Sequence, residues 1–199
     1  TEALRCALEL AAAHDLRHLV VQADLRPRSP GEAADILATW RQLAAEAGVP
    51  ILIETHRGRL TNDLPFTLAL LEVDPALRLL ADLSHYVAGQ SIEWPISVAN
   101  EAMLRAILDR AWAFHGRVAS SEHVQVEIGF PEHRRWLELF LGWWDYGFRS
   151  WRRRAAPNAT LTLACELGPR PYANVNSRGR DTTDRWQEAL MMAQLVRER

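Results

Sequence analysis

The sequence contains no lysine, because all 23 of its basic side chains are arginines. Schiff-base chemistry and the lysine of a phosphate-binding loop are therefore excluded. A basic excess is also missing, since 25 acidic side chains leave a net charge of −2. Such a balance argues against a surface built to hold nucleic acid.

Long apolar runs are missing as well. None approaches the roughly 20 residues that cross a bilayer, and no signal-peptide pattern opens the sequence. We therefore expect a cytoplasmic protein without a membrane partner. Cysteine is scarce, and Cys6 and Cys165 lack the spacing of a metal or redox motif. Two buried free thiols are expected rather than a disulfide.

Short apolar runs alternate with helical patterns along the chain. The predicted strands cover residues 18–23, 51–53, 77–81, 111–114 and 160–165. The predicted helices cover residues 2–14, 31–47, 63–73, 101–110, 134–154 and 183–198. This alternation predicts a parallel α/β sheet in a single domain that spans residues 1–199.

Chemically active residues stand at the ends of four consecutive predicted strands. We call these four residues the mouth cluster: Glu54, Asp82, His115 and Glu166. In a (β/α)₈ barrel such strand ends converge on one mouth, whereas in an open sheet they are strung along an edge. Singly, each acid could be a helix cap or a salt-bridge partner. Four in register favour convergence and hence the barrel.

The mouth cluster has the composition of a site for one divalent cation. Carboxylate oxygens with a single imidazole suit Mn²⁺, Mg²⁺, Co²⁺ or Zn²⁺. Such an ion could polarise a carbonyl while neighbouring carboxylates move protons. His123, in the following loop, is a weaker alternative to His115 as a ligand. His56 and Arg117 point to the same mouth and could bind a substrate hydroxyl, carboxylate or phosphate, or else pair with a ligand carboxylate.

Four motifs contain the cluster on successive strands: ETHRGR, DLSHY, FHGRV and CELGP. They resemble those of the xylose-isomerase-like barrel superfamily of sugar isomerases and sugar-phosphate epimerases. The resemblance implies that the four residues of the cluster bind one metal ion from the last four barrel strands. It implies that Glu54 and Glu166 also act as paired acid and base on opposite faces of the substrate. It further implies that His85, three residues after Asp82, contacts substrate oxygens.

The number of strands is the difficulty in this comparison. If the cluster lies on the last four strands, the strand at 18–23 is the fourth of eight. We therefore expect an incomplete (β/α)₈ TIM barrel of about five βα units, with its N-terminal strands missing. Its exposed apolar strand edges should make it unstable or prone to aggregate unless the remainder is supplied.

The resemblance implies a metal-dependent isomerase or epimerase that acts on a small sugar, sugar phosphate or sugar acid through an enediolate-type intermediate. Three alternatives stay open: an inosose-type dehydratase or lyase on the same scaffold, an apurinic-site endonuclease, and a barrel fragment without catalysis. The net charge argues against the endonuclease, which needs a basic groove. The expected partner is a small carbohydrate-like substrate.

Aromatic side chains crowd the helix predicted at 134–154. Such a helix is more typical of outer-ring packing, or of a contact in a homo-oligomer, than of a ligand platform. Trp94 and Tyr172 lie in loops at the predicted mouth, where each could line a sugar pocket or pack its loop down.

Overall fold

Five parallel strands form one sheet in the computed structural model, which describes residues 2–199. In spatial and chain order they are β1 (Leu19–Val21), β2 (Ile51–Glu54), β3 (Leu79–Ala81), β4 (Ala111–His115) and β5 (Thr162–Ala164). The sheet curls into a half-barrel with flanking helices, so the prediction of an incomplete TIM barrel is confirmed.

Seven α-helices within residues 2–199 accompany the sheet. They are α1 (Glu2–Ala13), α2 (Pro30–Ala47), α3 (Leu64–Val73), α4 (Ser84–Gly89), α5 (Val98–Leu108), α6 (Arg134–Arg154) and α7 (Arg185–Arg197), and a 3₁₀ turn (Pro131–His133) precedes α6. No helix in this range is long and apolar enough to cross a membrane.

The ends of α2 show how local sequence sets the helix boundaries. Ser29 caps the first turn by accepting a hydrogen bond from the Glu32 N–H at 3.2 Å, and Pro30 follows at the first helical position. Gly48 ends the helix at φ 70°, where a side chain would be strained. The helix predicted over residues 31–47 is thus confirmed, with its start one residue earlier.

The two faces of the sheet explain how the mouth cluster forms. Ile51 and Ile53 of β2 pack into the main core under the helices, whereas Leu52 packs on the opposite, inner face. Successive side chains alternate between faces. Three residues of the mouth cluster therefore follow by two positions the members of the inner apolar group: Glu54 after Leu52, Asp82 after Leu80 and His115 after Ala113.

Several sequence predictions need correction. Residues 84–89 form the short helix α4 instead of a strand end and loop, and α5 begins at Val98 rather than Glu101. A six-residue helix carries too little periodicity to be recognised in a sequence. Cys6 is exposed and Cys165 half-buried, so neither thiol is buried as expected. Cys6 lies on the outer side of α1, because Leu4, Leu8 and Ala11 occupy the buried side.

The aromatic helix α6 packs against the sheet, as one of the two sequence-based interpretations predicted. Its buried face contains Trp136, Phe140, Leu141, Trp143, Trp144, Gly147, Ser150 and Trp151. The closest approach is at Gly147, where a Cβ atom would lie 2.6 Å from Cε1 of Phe114 on β4. Glycine is therefore required for this helix to reach the sheet.

We predict that Gly147→Ala lowers the free energy of unfolding by about 1–3 kcal/mol, because the added methyl overpacks the helix–sheet contact. Urea unfolding of the chain measures it. Gly142→Ala is the matched control, since a Cβ atom there meets nothing within 4 Å. It should be neutral or stabilising by up to about 1 kcal/mol, as expected for alanine at an open helix position. Equal effects of the two changes would contradict the packing argument.

Candidate metal centre

The structure brings the four residues of the mouth cluster together at the carboxyl end of the sheet. One potential ligand atom from each lies within 4.8 Å of the other three. His115 Nδ1 is central, at 3.5 Å from Glu54 Oε1, 3.6 Å from Asp82 Oδ2 and 2.5 Å from Glu166 Oε2. Glu54 and Asp82 are buried, whereas the side chain of Glu166 is 36% exposed.

The same four atoms lack well-formed hydrogen bonds to any part of residues 2–199. A buried carboxylate or imidazole atom without a partner is costly, so such atoms are rare unless an ion or ligand satisfies them. Ligand bonds of 2.0–2.2 Å imply about 3.4 Å between neighbouring ligand atoms in a tetrahedral zinc site. Two of the three spacings around His115, at 3.5 and 3.6 Å, match that value, whereas Glu166 Oε2 at 2.5 Å pairs directly with the imidazole. The residues present therefore fit a divalent cation.

The ligand Asp82 is oriented by the start of α4. Its Oδ1 accepts hydrogen bonds from the Ser84 N–H at 3.0 Å and the Ser84 hydroxyl at 2.5 Å, which leaves Oδ2 facing the cluster. Such supporting hydrogen bonds orient ligands in metal sites. This role of Ser84 was not predicted, although aspartate followed two residues later by serine is a recognised turn signal.

Two threonines tie the strand ends together. The Thr55 hydroxyl donates to the Asp82 carbonyl at 2.9 Å and accepts from the Asp82 N–H at 2.8 Å. The Thr61 hydroxyl donates to the Glu54 carbonyl at 2.6 Å. The Thr55 bonds continue the β2–β3 ladder past the strands, whereas the Thr61 hydroxyl, which also accepts from the His56 N–H at 3.0 Å, braces the chain around Glu54. Only the fold places these threonines, so the sequence pattern contained no signal for them.

The electrostatics of the cluster follow from burial and opposite charge. Burial by itself would lower the pKa of His115, but the negative charges of the adjacent Asp82, Glu166 and Glu54 carboxylates raise it to about 11. Burial would raise the pKa values of Asp82 and Glu166, yet His115 and Arg117 hold both below their usual range. Without a metal ion the imidazole is therefore charged and these two carboxylates are ionised at neutral pH.

Arg117 is buried directly beside the cluster. Its Nη2 lies 3.3 Å from Asp82 Oδ2 and also pairs with Glu166 Oε2. The guanidinium carbon lies 4.8 Å from the ring centroid of Tyr172. The alternative that Arg117 pairs with ligand carboxylates is thus what the structure shows. Its Nε and Nη1 nevertheless have no hydrogen-bond partner among residues 2–199, so two donors remain for another group.

The two histidines predicted to contact substrate lie beside Glu54. The rings of His56 and His85 lie against each other with their centroids 3.8 Å apart and their planes tilted by 41°. His85 is 1% exposed, and burial lowers its pKa to about 4, so it is neutral at physiological pH. The alternative ligand His123 is exposed and approaches Ser120 Oγ instead of the cluster.

A cavity of about 340 Å³ is lined in part by Tyr172, whose ring lies 4.8 Å from the Arg117 guanidinium carbon. Its lining includes Arg57, Glu122, His123, Gln125, Tyr172 and Asn174. Trp94 does not line it and instead meets Trp136 edge-on, with ring centroids 6.2 Å apart. Of the two loop aromatics considered from sequence, Tyr172 lines the pocket and Trp94 packs its loop. A larger cavity, about 500 Å³, includes Pro50 and Leu77 at the opposite end of the sheet.

Gln125, a residue not predicted to take part in the site, holds the loop that follows Glu166. The side-chain amide of buried Gln125 donates to the Gly168 carbonyl at 2.9 Å and accepts from the Gly168 N–H at 2.8 Å. It thereby takes the place of a neighbouring strand for the chain two residues beyond Glu166. This support is important because β5 has only three residues and lies at the sheet edge.

Comparison with known proteins supports the fold and leaves the activity open. No protein-family model matches the chain, and no curated protein matches it in sequence. A crystal structure of the IolI protein with a bound zinc atom matches it with a TM-score of 0.59 and 12% sequence identity. The match covers 99% of this chain and 69% of the other. At this identity the likeness shows a shared fold alone.

We predict that metal binding to the mouth cluster releases a proton. Below its raised pKa of about 11 the His115 imidazole carries an extra proton, and it must lose that proton because a ligand imidazole is neutral. Between pH 6 and pH 8 the apparent Zn²⁺ affinity should therefore rise about 100-fold. Competition with a chromophoric chelator measures this slope, and calorimetry in buffers of different ionisation enthalpy counts the protons. His123→Asn should leave the slope unchanged. A pH-independent affinity would refute the assignment.

We also predict that Gln125→Leu weakens metal binding about tenfold, the usual cost of losing a residue that supports a ligand. The change preserves the side-chain size but leaves both polar groups of the Gly168 backbone unpaired. Chelator competition provides the readout. Gln42→Leu is the control, because exposed Gln42 bonds only to Glu46 on the same helix. Unaltered affinity in Gln125→Leu would show that this clamp does not position Glu166.

Proposed function

We propose that this chain forms the metal-binding part of a sugar isomerase or epimerase. The observation that carries the proposal is the convergence of four hydrogen-bond-deficient ligand atoms on one point at the mouth of the half-barrel. The solved IolI structure supports it, because that protein shares the fold and was crystallised with zinc. We infer one catalytic divalent cation for this chain, of the Mn²⁺, Mg²⁺, Co²⁺ or Zn²⁺ class.

The four residues of the mouth cluster would hold the ion. When bound, such an ion supplies Lewis acidity to a substrate carbonyl and so favours loss of the neighbouring C–H proton. The two glutamates would move that proton. Glu54 comes from β2 and Glu166 from β5, three strand positions away, so their carboxylates approach a substrate from different sides. One removes a proton from carbon and the other returns it, which exchanges the position or configuration of a hydroxyl group.

The remaining mouth residues would bind the substrate. The cavity of about 340 Å³ that Tyr172 lines lies in the size range of small-molecule pockets. Tyr172 offers a flat face there, and Arg117, which lies against that ring, keeps two donors without partners, as suits a small polyhydroxylated substrate. His85 and His56 would stand near substrate oxygens on the Glu54 side. We assign the substrate to this cavity rather than to the larger one, which lies away from the cluster.

Proton transfer can be tested with the Zn²⁺-, Mn²⁺- or Co²⁺-loaded chain and a panel of ketoses and their acid or phosphate derivatives in deuterated water. A product that incorporates solvent deuterium is expected, and its mass separates isomerisation from dehydration. We predict that Glu166→Gln lowers turnover about 10²–10⁴-fold, the typical contribution of a general base, while the thermal transition remains.

Glu132→Gln is the control, because Glu132 is exposed in the 3₁₀ turn before α6 and is not part of the mouth. Full activity in Glu166→Gln would remove this residue from the mechanism. A wild-type chain that binds no divalent cation would overturn the proposal as a whole and would favour a barrel fragment without catalysis.

A further inference from the structure

Two further residues that can bind a metal ion, His56 and His85, adjoin the mouth cluster and are not used by it. We propose that Glu54, His56 and His85 form a second cation site that shares Glu54 with the first. This inference rests on the proposed function and deepens it, since His56 and His85 would then reach substrate oxygens through an ion instead of directly. The substrate class this favours has two neighbouring oxygen atoms, as in an α-hydroxy ketone, which two adjacent cations can hold together.

The backbone brings these three residues together independently of the first site. Glu54 ends β2, and His56 follows it by two positions. His85 lies in the first turn of α4, directly after β3. One ligand atom from each of the three lies within 4.8 Å of the others. Two imidazoles and a carboxylate are a donor set typical of Zn²⁺ and related transition metals.

The state of His85 is the second, independent observation. Its side chain is 1% exposed, and neither ring nitrogen has a hydrogen-bond partner among the residues that the structure describes. Buried polar atoms normally have partners, so two unsatisfied nitrogens on one ring call for a ligand. The nearest charged atom to Nε2 among the ion pairs is Asp82 Oδ2 at 3.7 Å, beyond hydrogen-bond distance.

His56 is oriented as a metal ligand usually is. Its Nδ1 lies 2.5 Å from the Arg57 carbonyl oxygen, a contact that requires the hydrogen on Nδ1. That contact leaves Nε2 as the ring atom that can bind an ion. Ligand histidines characteristically donate their other N–H to a backbone carbonyl or carboxylate in this way. The tilted contact between the two rings, at 3.8 Å between centroids, satisfies neither of the His85 nitrogens.

The decisive measurement is the number of tightly bound ions per chain. The wild-type chain, loaded with Zn²⁺ and freed of excess by gel filtration, should contain two zinc atoms per chain by elemental analysis. His56→Asn should contain one. This residue is half-buried at the mouth, so its replacement should leave the fold intact, which the thermal transition verifies. His85→Asn, the buried counterpart, should also contain one.

His123→Asn is the matched control at the same mouth and should still contain two ions. Co²⁺ loading provides a second readout, because visible absorption should rise in two phases in the wild type and in one phase in His56→Asn. One ion in the wild type, unchanged in His56→Asn, would overturn this inference and leave the proposed function standing. Two ions in His56→Asn would place the second ion elsewhere and would also overturn it. A wild-type chain that binds no cation would overturn both this inference and the proposed function.

Discussion

The structure of the half-barrel mouth depends on positive charge that offsets the mutual repulsion of its carboxylates. Glu54 and Asp82 are almost excluded from water, and Glu166 lies within 2.5 Å of the imidazole that stands between them. Like charges this close in a poorly solvated place destabilise one another unless positive charge lies among them. His115 and Arg117 provide that charge from the chain itself, and a divalent cation would provide it from a single point. The geometry is therefore suited to exchange a proton for a metal ion.

Much of the surrounding structure acts to hold that charged group in place. Ser84 orients one carboxylate, Thr55 extends the hydrogen-bonding ladder beyond the ends of β2 and β3, and Thr61 braces the chain around Glu54. Gln125 does the same for the edge strand β5. The loop that contains Gln125 is itself anchored by buried Glu127, which accepts from the Asn174 side chain at 3.2 Å and from Thr182. Rigid support of this kind keeps ligand atoms in register when the sheet has an open edge.

The alternation of short apolar runs and helical patterns was enough to predict the parallel sheet, its five strands and the convergence of the mouth cluster. Glu54 was recognisable because it directly follows Ile51–Ile53. The short helix α4 was not, since six residues define no periodicity. The roles of Gln125 and Thr61 were also not predicted, because the partner of each lies at a distance in the sequence or on another element. Gln125 bonds to a residue 43 positions away, and no pattern of residues near Gln125 indicates that contact.

The sequence alone determines the order of the elements, the face on which each strand places its side chains and the types of ligand residue at the mouth. These depend on periodicity and residue chemistry, which are local properties. Only the tertiary structure decided which ligand atoms remain without partners, that Arg117 pairs with Asp82 and Glu166, and that the ring of His56 lies against that of His85 beside Glu54. Those outcomes depend on distances between chain segments, which the curl of the sheet sets and no local pattern contains.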